Sequence, residues 1–381
     1  MKILAIDTSC DETAVAVTEG RRVISNVIHS QIVIHKQWGG VVPSLEKRAH
    51  MEKIDFVIAE ALKKNSKFEI RNLKQITNSK GLKHSNLKNS DLFSTSNFDF
   101  SASMQSIDCI AVTQGPGLAP ALEVGINKAK ELATKYKKKL ISVNHMEGHL
   151  YSSFVQNSKG SPVREFIFPM LGLLVSGAHT EIILWKNHLE YEVLGETLDD
   201  AAGEALDKAA RLLLGIGYPG GGAIERLSEE VNNEDRYKFP RPMIKINSLD
   251  YSFSGLKTSF LYKVQSMTEE EKVKNMKYLI SSFQEAVFDT LLIKLKKAIV
   301  QTGCSRIACG GGVIANRYLR KKLRALVKQY NGEVFFPPYK YLTGDNASMI
   351  GVVAGYKAEK KIYVEDLSTL DRLPRMRLGS P

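Results

Sequence analysis

The sequence predicts an α/β fold made of two similar lobes with a nucleotide-binding cleft between them. The chain has 381 residues, which is long enough for two domains. Each half begins with an apolar strand, a polar turn and a second strand, and each later contains a strand, a glycine turn and a helix. Such turns present backbone N–H groups to phosphate, and helix N-termini add a favourable dipole.

The first half is predicted to contain short strands, helices and one long insertion. Alternating or continuous apolar residues predict strands at 2–8, 13–18, 22–30, 107–113 and 140–144. Apolar periodicity predicts helices from Pro43 to about Lys64, up to about Tyr136, and from His145 onward. Residues 65–106 are rich in Asn, Ser and Lys with little apolar periodicity, so we expect an inserted, mobile loop.

The second half is predicted to follow the same plan. Strands are expected at 171–175, 181–185, 191–194, 306–309 and 333–336. Helices are expected near 199–214, 220–231, 272–302 and 314–330, with a last helix after Asp345-Asn346. We therefore expect an N-terminal lobe over 1–155, carrying the insertion, and a C-terminal lobe over 156–381.

Composition narrows the class of protein. The chain has 53 Lys and Arg against 41 Asp and Glu, and the resulting net charge of +12 favours a polyanionic partner such as a nucleic acid. A generic basic bias is the alternative. Apolar runs stay shorter than the ~18 residues of a membrane span, so no membrane role is expected. The sequence has no CxxC pair, which leaves a zinc ribbon or a thioredoxin-like motif unsupported.

The segment His145-Met-Glu-Gly-His149 carries the strongest chemical signal. Two histidines four residues apart lie on one face of a helix and can reach one divalent metal. The preceding strand, 140–144, puts them at the carboxyl edge of a sheet, where open α/β folds bind ligands. Asp345 is the best third ligand, since imidazole and carboxylate together satisfy a divalent transition metal. The alternative for Asp345 is an N-cap of the last helix.

Peptidase chemistry does not fit this histidine pair. In the HExxH pattern of zinc peptidases the glutamate directly follows the first histidine. Here Glu147 lies midway between the two histidines, and we expect its side chain to point away from the metal face.

Several segments of the second half can hold a nucleotide, and each has a plainer alternative. The turn Ser176–Thr180 offers main-chain amides to a phosphate or carboxylate, or is simply a hairpin turn. One of the acids Asp199, Asp200, Glu204 and Asp207 can accept hydrogen bonds from a ribose diol, although most are expected to be solvated. Tyr218–Gly222 can lie under an adenine ring or join two helices. Asn316 can present its amide to a base or a phosphate.

Taken together, the motifs resemble the family of universal tRNA threonylcarbamoyladenosine transferases, once called glycoproteases. Nearly the whole chain apart from 65–106 and the tail takes part in the resemblance. The matching segments are Asp7-Thr-Ser-Cys-Asp-Glu-Thr13, Gly39-Gly-Val-Val-Pro43, Gly115-Pro-Gly-Leu118, His145-Met-Glu-Gly-His149, Leu174-Val-Ser-Gly-Ala-His-Thr180, Asp199-Asp-Ala-Ala-Gly-Glu204, Tyr218-Pro-Gly-Gly221, Phe239-Pro-Arg-Pro-Met243, Tyr251-Ser-Phe-Ser-Gly-Leu-Lys-Thr258, Gly311-Gly-Val-Ile-Ala-Asn316 and Asp345-Asn346.

The resemblance implies an actin/Hsp70-like (RNase H-like) fold and a specific acyl transfer. The threonylcarbamoyl group would pass from threonylcarbamoyl-AMP to the exocyclic amine of the adenosine 3′ of the anticodon in ANN-reading tRNAs, without a covalent enzyme intermediate. One zinc or iron ion per subunit would be held by His145, His149 and Asp345. The adenylate would be bound by Leu174, Val175, Ser176, Gly177, Ala178, Asp207, Gly221, Glu225 and Asn316.

Three positions depart from the family pattern. Ala178 stands where bacterial relatives usually have glycine, Glu225 where aspartate or serine is common, and Gly344 where threonine usually precedes the metal carboxylate. We also expect Asp11 or Glu12 to accept the amine proton, because both lie in the turn that faces the cleft. A small-molecule kinase and a non-catalytic nucleotide-binding scaffold are the alternatives, since a fold does not fix a function.

The cellular context is open at this point. An Asn/Ser/Lys-rich insertion on a bacterial-type core suggests a mitochondrial enzyme, with the bacterial cytoplasm as the alternative. Mitochondrial relatives act as homodimers and bacterial relatives act with helper subunits, so the partners expected are tRNA, threonylcarbamoyl-AMP and either a second copy or such helpers.

Overall fold

The computed structural model describes residues 1–36, 42–63, 71–72, 99–216 and 219–379, which form two compact units. Unit 1 contains the described residues of 1–33, 41–165 and 345–381, and unit 2 contains those of 34–40 and 166–344. This division differs from the expected lobes 1–155 and 156–381, because the last helix of the chain packs on the first two strands.

The secondary structure of the described residues alternates between strands and helices. The strands are β1 Lys2–Asp7, β2 Glu12–Glu19, β3 Arg22–Ser30, β4 Arg71–Asn72, β5 Cys109–Gly115, β6 Lys139–Asn144, β7 Met170–Val175, β8 Thr180–Asn187, β9 Glu190–Glu196, β10 Arg306–Gly310 and β11 Glu333–Phe335. The helices are α1 Ile32–Lys36, α2 Pro43–Lys63, α3 Phe100–Gln105, α4 Ala119–Tyr136, α5 His145–Tyr151, α6 Ala202–Leu214, α7 Gly221–Glu229, α8 Ser254–Gln265, α9 Glu269–Thr302, α10 Arg317–Lys328 and α11 Ala347–Glu359.

Unit 1 is built on a sheet with strand order β4-β3-β2-β1-β5-β6. Strands β1, β2 and β3 form an antiparallel meander, whereas β5 runs parallel to β1 and β6 runs parallel to β5. The carboxyl ends of β1, β5 and β6 therefore meet at one edge. Helices α2, α4 and α11 pack on this sheet, which explains why residues 3–6 of β1 and 109–112 of β5 are apolar and buried.

Unit 2 repeats this topology with the order β9-β8-β7-β10-β11. Strands β7, β8 and β9 are antiparallel neighbours, and β10 and β11 continue the sheet in parallel with β7. The same order and the same mix of directions confirm the internal duplication expected from the sequence. The core of unit 2 joins β7 to helices α6, α8 and α9 through buried aromatic rings such as Phe260 and Phe283.

Two sequence-based expectations about elements need correction. The expected loop 65–106 contains helix α3, whose N-cap Asp99 accepts a hydrogen bond from the Ala102 N–H at 3.0 Å. The rest of 65–98, apart from 71–72, lies outside the described residues. Helix α8 was not expected either. Its buried residues Leu256, Phe260 and Val264 have a helical spacing, but Leu261 and the exposed Tyr262 obscure that pattern in the sequence.

Candidate metal centre and nucleotide cavity

The two histidines lie on a short buried helix at the carboxyl edge of the first sheet. Helix α5 follows β6 directly, and Asn144 caps it by accepting a hydrogen bond from the Met146 N–H at 2.8 Å. The rings of His145 and His149 are 4.6 Å apart between centroids. Every residue of α5 is buried, so the ring positions are fixed by packing.

Asp345 meets both histidines through one carboxylate oxygen. Its Oδ1 lies 3.2 Å from Nε2 of His145 and 3.3 Å from Nε2 of His149. The cap of α11 is the neighbouring Asn346, whose side chain accepts a hydrogen bond from the Met349 N–H at 3.1 Å. The N-cap alternative for Asp345 is therefore wrong, and its carboxylate is available to the histidines.

Gly148, between the two histidines, allows α5 and α11 to pack closely. A Cβ atom at this position would lie 2.8 Å from Cγ of Met349 and 3.0 Å from Cδ1 of Ile350. Since Asp345 directly precedes α11, this close approach brings its carboxylate within reach of the rings. Sequence reasoning missed this role, although a glycine inside a short helix is a recognisable signal.

A second carboxylate orients His145 from the other side. Oδ2 of Asp7, at the end of β1, lies 3.5 Å from Nδ1 of His145, and the hydroxyl of Ser9 lies 3.1 Å from the same nitrogen. A partner at Nδ1 directs Nε2 toward Asp345 and favours the tautomer that leaves Nε2 free as a ligand. Asp7 is missing from the sequence-based site, yet parallel pairing of β1, β5 and β6 puts its strand end near α5.

The three side chains fit a divalent transition metal. Their ligand atoms all lie within 4.8 Å of one another. A tetrahedral ion with bonds of about 2.0–2.1 Å separates neighbouring ligand atoms by about 3.3 Å, close to the two distances measured here. Nε2 of His149 is also buried and makes no well-formed hydrogen bond to the described residues, as expected for a ligand nitrogen.

The charges in this cluster favour a cation. Burial lowers the pKa of His145, but the carboxylates of Asp345 and Asp7 outweigh burial and raise that pKa to about 10. Burial lowers the pKa of His149 below its ordinary value, and the two histidines hold the pKa of Asp345 well below its usual range against the effect of burial. A bound cation would replace the proton that His145 otherwise carries.

Glu147 takes no part in this cluster. Its carboxylate lies 3.0 Å from Nζ of Lys357 on α11, away from the ligand atoms. This confirms the orientation expected from its place midway between the histidines and leaves zinc-peptidase chemistry without its glutamate.

The turn after β1 carries the two expected proton acceptors. Asp11 is buried, and Glu12 is partly buried with its Oε1 accepting a hydrogen bond from the Ser30 hydroxyl at 3.1 Å. Burial and the neighbouring Asp11 raise the pKa of Glu12 well above its ordinary value. The buried ring of His50 secures this turn, since its Nε2 lies 2.8 Å from the Cys10 carbonyl oxygen and its Nδ1 lies 2.7 Å from the Thr13 hydroxyl.

The chain after α11 supports the carboxyl edge of the sheet. The Leu373 N–H donates to the Gln114 carbonyl at 2.9 Å, and Nδ2 of Asn144 donates to the Arg377 carbonyl at 3.0 Å. At Gly115 a Cβ atom would lie 1.8 Å from the Leu373 carbonyl oxygen, so only glycine fits there. This segment thus holds the residue that caps the histidine helix.

Unit 2 contains a cavity of about 840 Å³ at the carboxyl edge of its own sheet. Five of the nine expected adenylate residues line it: Gly177, Asp207, Gly221, Glu225 and Asn316. The other four do not. Leu174 and Val175 are buried in β7, and Ser176 and Ala178 belong to the turn around Gly177, where the Ser176 hydroxyl accepts from the Ala178 and His179 N–H groups.

Of the four acids considered for a ribose, Asp207 lines the cavity. Its Oδ1 accepts a hydrogen bond from the Gly220 N–H at 2.6 Å, and burial raises its pKa above the ordinary value despite that bond. Asp199 accepts from the N–H groups of Phe253 and Ser254 at the start of α8, and Asp200 pairs with Lys208 and Lys257. Glu204 pairs with Lys208, so these three acids have structural partners.

Asn316 and Glu225 define the far wall of the cavity. The Asn316 side chain caps α10 by accepting from the Leu319 N–H at 2.9 Å, and it donates to Oε1 of Gln284 at 3.0 Å. Gln284 is buried and also lines the cavity, although sequence reasoning did not find it. Glu225 accepts from the Arg317 N–H at 2.7 Å, so its carboxylate occupies the N-terminus of α10. Tyr218 lies outside the described residues.

Fold and site together define the class of protein: an actin/Hsp70-like α/β protein with two duplicated units, a candidate metal centre in one and a nucleotide-sized cavity in the other. Solved structures support the fold. HypF from T. kodakarensis aligns with a TM-score of 0.57 over 94% of this chain and 48% of its own, at 14% identity. A nucleotide-bound full-length HypF gives a TM-score of 0.52 over 95% of this chain and 56% of its own, at 15% identity.

Sequence comparison identifies the family. The family model described as "tRNA N6-adenosine threonylcarbamoyltransferase" matches residues 22–81 and 96–352. Relatives of that name are 42% identical in Thermosipho africanus, over 99% of this chain and all of the relative, and 40% identical in Kosmotoga olearia, over 95% of each. In Staphylococcus aureus the identity is 39%, over 93% of this chain and 91% of the relative.

The chain therefore belongs to the tRNA N6-adenosine threonylcarbamoyltransferase family and is a transferase that modifies tRNA. The expectation of a mitochondrial enzyme gains no support, because these relatives are bacterial. Nothing in the comparisons favours the kinase alternative. Within the part of the chain that the structure describes, no helix combines the length and apolar character needed to cross a membrane.

Proposed function

We propose that this enzyme transfers the threonylcarbamoyl group from threonylcarbamoyl-AMP to the exocyclic amine of the adenosine 3′ of the anticodon in ANN-reading tRNAs, with help from a divalent metal. The observation that carries the metal-assisted mechanism is the convergence of His145, His149 and Asp345, with two ligand-atom separations of 3.2 and 3.3 Å. Zinc and iron both suit two imidazoles and one carboxylate.

The cavity of unit 2 is the proposed binding site for the AMP part of the donor. Asp207 is placed to accept hydrogen bonds from ribose hydroxyls. Glu225 already occupies the N-terminus of α10, and its negative charge disfavours a phosphate there. The phosphate is better placed at the N–H of Gly177, which lines the cavity, and at the glycine turn after β10. In that second turn Gly311 has φ +96°, and a Cβ would lie 2.4 Å from the Val175 carbonyl oxygen.

A metal held by His145, His149 and Asp345 would supply a Lewis acid for the carbonyl of the donor. The residues of the chain hold it in place: Asp7 and Ser9 orient His145, and Gly148 lets α11 deliver Asp345. In the transfer, the adenosine nitrogen forms a bond to the carbamoyl carbon, and the bond from that carbon to the phosphate oxygen breaks. AMP leaves with the electron pair, so no covalent enzyme intermediate is needed.

The proton released by the amine is assigned to Asp11 or Glu12. A carboxylate is a good general base when its pKa lies near the working pH, and the pKa of Glu12 is raised. Replacing both residues by alanine is expected to slow transfer by about 10²–10⁴-fold. Turnover near the wild-type rate in this double variant would remove the assignment.

Bacterial relatives make the bacterial cytoplasm the better of the two proposed locations, and with it the use of helper subunits in place of a homodimer. The basic surface expected from the net charge of +12 would bind the phosphates of the tRNA stem.

The decisive experiment incubates the purified protein with threonylcarbamoyl-AMP and unmodified tRNA, with and without a metal chelator. Modified nucleoside and AMP in equal amounts, lost on chelation and restored by one metal equivalent, support the proposal. Consumption of ATP with a sugar or an acid would instead support the kinase alternative. Donor binding without turnover, even with bacterial helper subunits added, would indicate a non-catalytic scaffold.

A further inference from the structure

Helix α10 carries an unusual concentration of positive charge. Its sequence, Arg317-Tyr-Leu-Arg-Lys-Lys-Leu-Arg-Ala-Leu-Val-Lys328, contains six basic residues and no acid. Four of the six are exposed: Arg317, Lys321, Arg324 and Lys328. We call these four residues the α10 stripe.

The α10 stripe occupies one face of the helix. Its members follow one another at intervals of four, three and four residues, which places them along one side over about 16 Å. The opposite side is apolar and buried, with Leu319, Leu323 and Val327 in the core of unit 2.

The other two basic residues of α10 have structural partners. Arg320 donates through Nε to the Ile314 carbonyl oxygen at 2.6 Å. Lys322 pairs with Asp289 at 2.8 Å and also with Glu285. Their side chains are therefore committed to the fold. Within the stripe, the guanidinium of Arg324 lies 4.9 Å from the centroid of the Phe336 ring, a contact that leaves its positive charge uncompensated.

The stripe is not neutralised by the protein. Among the described residues, none of its four side chains forms a salt bridge, whereas lysines elsewhere, such as Lys208 and Lys272, pair with acids of their own helices. Four adjacent uncompensated charges repel one another and lower stability slightly. A surface with this arrangement is suited to a partner that supplies a row of negative charges.

The chemistry of the helix distinguishes between polyanions. A basic helix that binds an anionic membrane also inserts an apolar face, but the apolar face of α10 is already buried in unit 2. A phosphate backbone requires only exposed cations at intervals along a line. The stripe also begins at the proposed donor site, since Arg317 lines the unit 2 cavity.

We propose that the α10 stripe binds the phosphate backbone of the tRNA. The proposal concerns how the substrate is held and rests on tRNA being the substrate of this family. Contacts of this kind carry affinity and orientation with little dependence on sequence. Loss of the stripe is therefore expected to weaken binding of different tRNAs about equally.

The test compares two double charge reversals in the full chain. Lys321→Glu with Arg324→Glu removes the centre of the stripe. Lys274→Glu with Lys296→Glu is the control, since both lysines are exposed on another helix of unit 2, α9, neither forms a salt bridge among the described residues, and the net charge changes equally. Fluorescence anisotropy with unmodified tRNA at several salt concentrations gives the Kd and its salt dependence, and heparin retention gives a second measure of polyanion binding.

We expect the stripe variant to raise the Kd for tRNA about tenfold or more and to lower the slope of log K against log salt by about 1.5, since each lost phosphate contact removes about 0.7–0.9. The control should change the Kd by less than about threefold. Equal effects of the two variants on Kd and heparin retention, or a wild type that heparin does not retain, would overturn the proposal.

A turnover assay separates this proposal from the proposed function. With threonylcarbamoyl-AMP in excess, the stripe variant should raise the KM for tRNA and leave kcat at saturating tRNA near wild type. A wild type that binds tRNA through the stripe but transfers nothing would refute the proposed function and still support the stripe as a tRNA-binding surface. A fall in kcat with unchanged KM would refute the stripe as a binding surface.

Discussion

Units 1 and 2 share one topology, and we propose that they use it for different chemistry. In both, an antiparallel meander is extended by two parallel strands, in the orders β3-β2-β1-β5-β6 and β9-β8-β7-β10-β11. At the carboxyl edge of unit 1, buried side chains converge from β1, α5 and the start of α11. At the same edge of unit 2, glycine turns and a few polar side chains surround an open cavity.

The difference shows what each ligand class demands from the same scaffold. A metal needs a few ligand atoms held rigidly at short separations, and unit 1 meets this need with two buried histidines, one of which has Asp7 beside its Nδ1. A nucleotide needs space and backbone N–H groups, so unit 2 places glycines where side chains would fill the cavity. The last strand of each sheet makes the contrast clear, because β6 leads into the histidine helix whereas β11 leads into Pro337-Pro338.

The largest effect is expected from removing a metal ligand of unit 1. His149→Ala should abolish stoichiometric metal binding and reduce transfer by about 10³-fold or more, because it deletes one of three protein ligands. Metal analysis of the purified protein and single-turnover transfer measure the two effects. Glu147→Gln, on the same helix but paired with Lys357, serves as the control and should keep the metal. Full metal content in His149→Ala would show that unit 1 does not hold the ion as described.

A smaller effect is expected from the carboxylate that orients the ligand. Asp7→Asn keeps the size of the side chain but weakens its interaction with Nδ1 of His145, so metal affinity should fall about 10–100-fold. Competition with a metal-binding dye provides the affinity. Ser9→Ala, which removes a neutral partner of the same nitrogen, should cost less. If Ser9→Ala proved the more damaging of the two, the hydroxyl rather than the carboxylate would be the orienting group.

The cavity of unit 2 should respond independently of the metal. Asp207→Asn is expected to weaken binding of AMP or of the donor about tenfold, because a neutral amide is a poorer acceptor for ribose hydroxyls than a carboxylate. Isothermal titration gives the affinity, and metal content should stay at the wild-type level. Glu204→Gln is a suitable control, since that carboxylate pairs with Lys208 and does not line the cavity. Unchanged AMP affinity in Asp207→Asn would show that Asp207 does not bind the ribose.

The smallest effect concerns the ion-pair network behind the cavity. Burial raises the pKa of Asp289, but hydrogen bonds from Lys322 and Arg241 outweigh burial and hold that pKa below its ordinary value. A carboxylate with a depressed folded-state pKa stabilises the protein above its unfolded pKa, and this stability is lost as the pH falls through the folded pKa. Asp289→Asn should thus lower the free energy of unfolding by about 1 kcal/mol at pH 7.

Thermal unfolding at several pH values tests this last prediction. The difference between Asp289→Asn and the wild type should shrink at acidic pH, where the wild-type carboxylate is itself protonated. Glu365→Gln, at an exposed position of unit 1, is the comparison and should change stability little. A difference that stayed constant across the pH range would mean that packing, not charge, is lost in Asp289→Asn.

The sequence pointed to the proposed metal ligands because the signal of the histidine pair is local. The spacing of His145 and His149 is a helical spacing, and the strand before them fixed the edge at which they lie. It found Asp345 but left open whether this residue caps α11, because ligand and cap have the same sequence signature. Asn346 resolves the question in the structure, since its own side chain makes the cap.

Other features depend on contacts between distant segments. The pairing of Asp7 with His145 joins residues 138 positions apart, and Gly148 is required only because α11 packs against it. The expected lobes 1–155 and 156–381 differ from the observed units for the same reason, since residues 345–379 belong to unit 1. Leu174 and Val175 were expected at the adenylate but are buried in β7, because a motif does not reveal which of its residues face inward.

By itself the sequence determined the duplicated α/β plan, the histidine pair and the basic character of the chain, because periodicity, spacing and charge depend only on the order of residues. The tertiary structure alone decided that Asp345 meets both rings, that Asp207 rather than Asp199, Asp200 or Glu204 lines the cavity, and that four cations of α10 share an exposed face without acidic partners among the described residues. Those properties depend on which surfaces are buried against each other, and burial sets both the reach of a side chain and the cost of leaving its charge uncompensated.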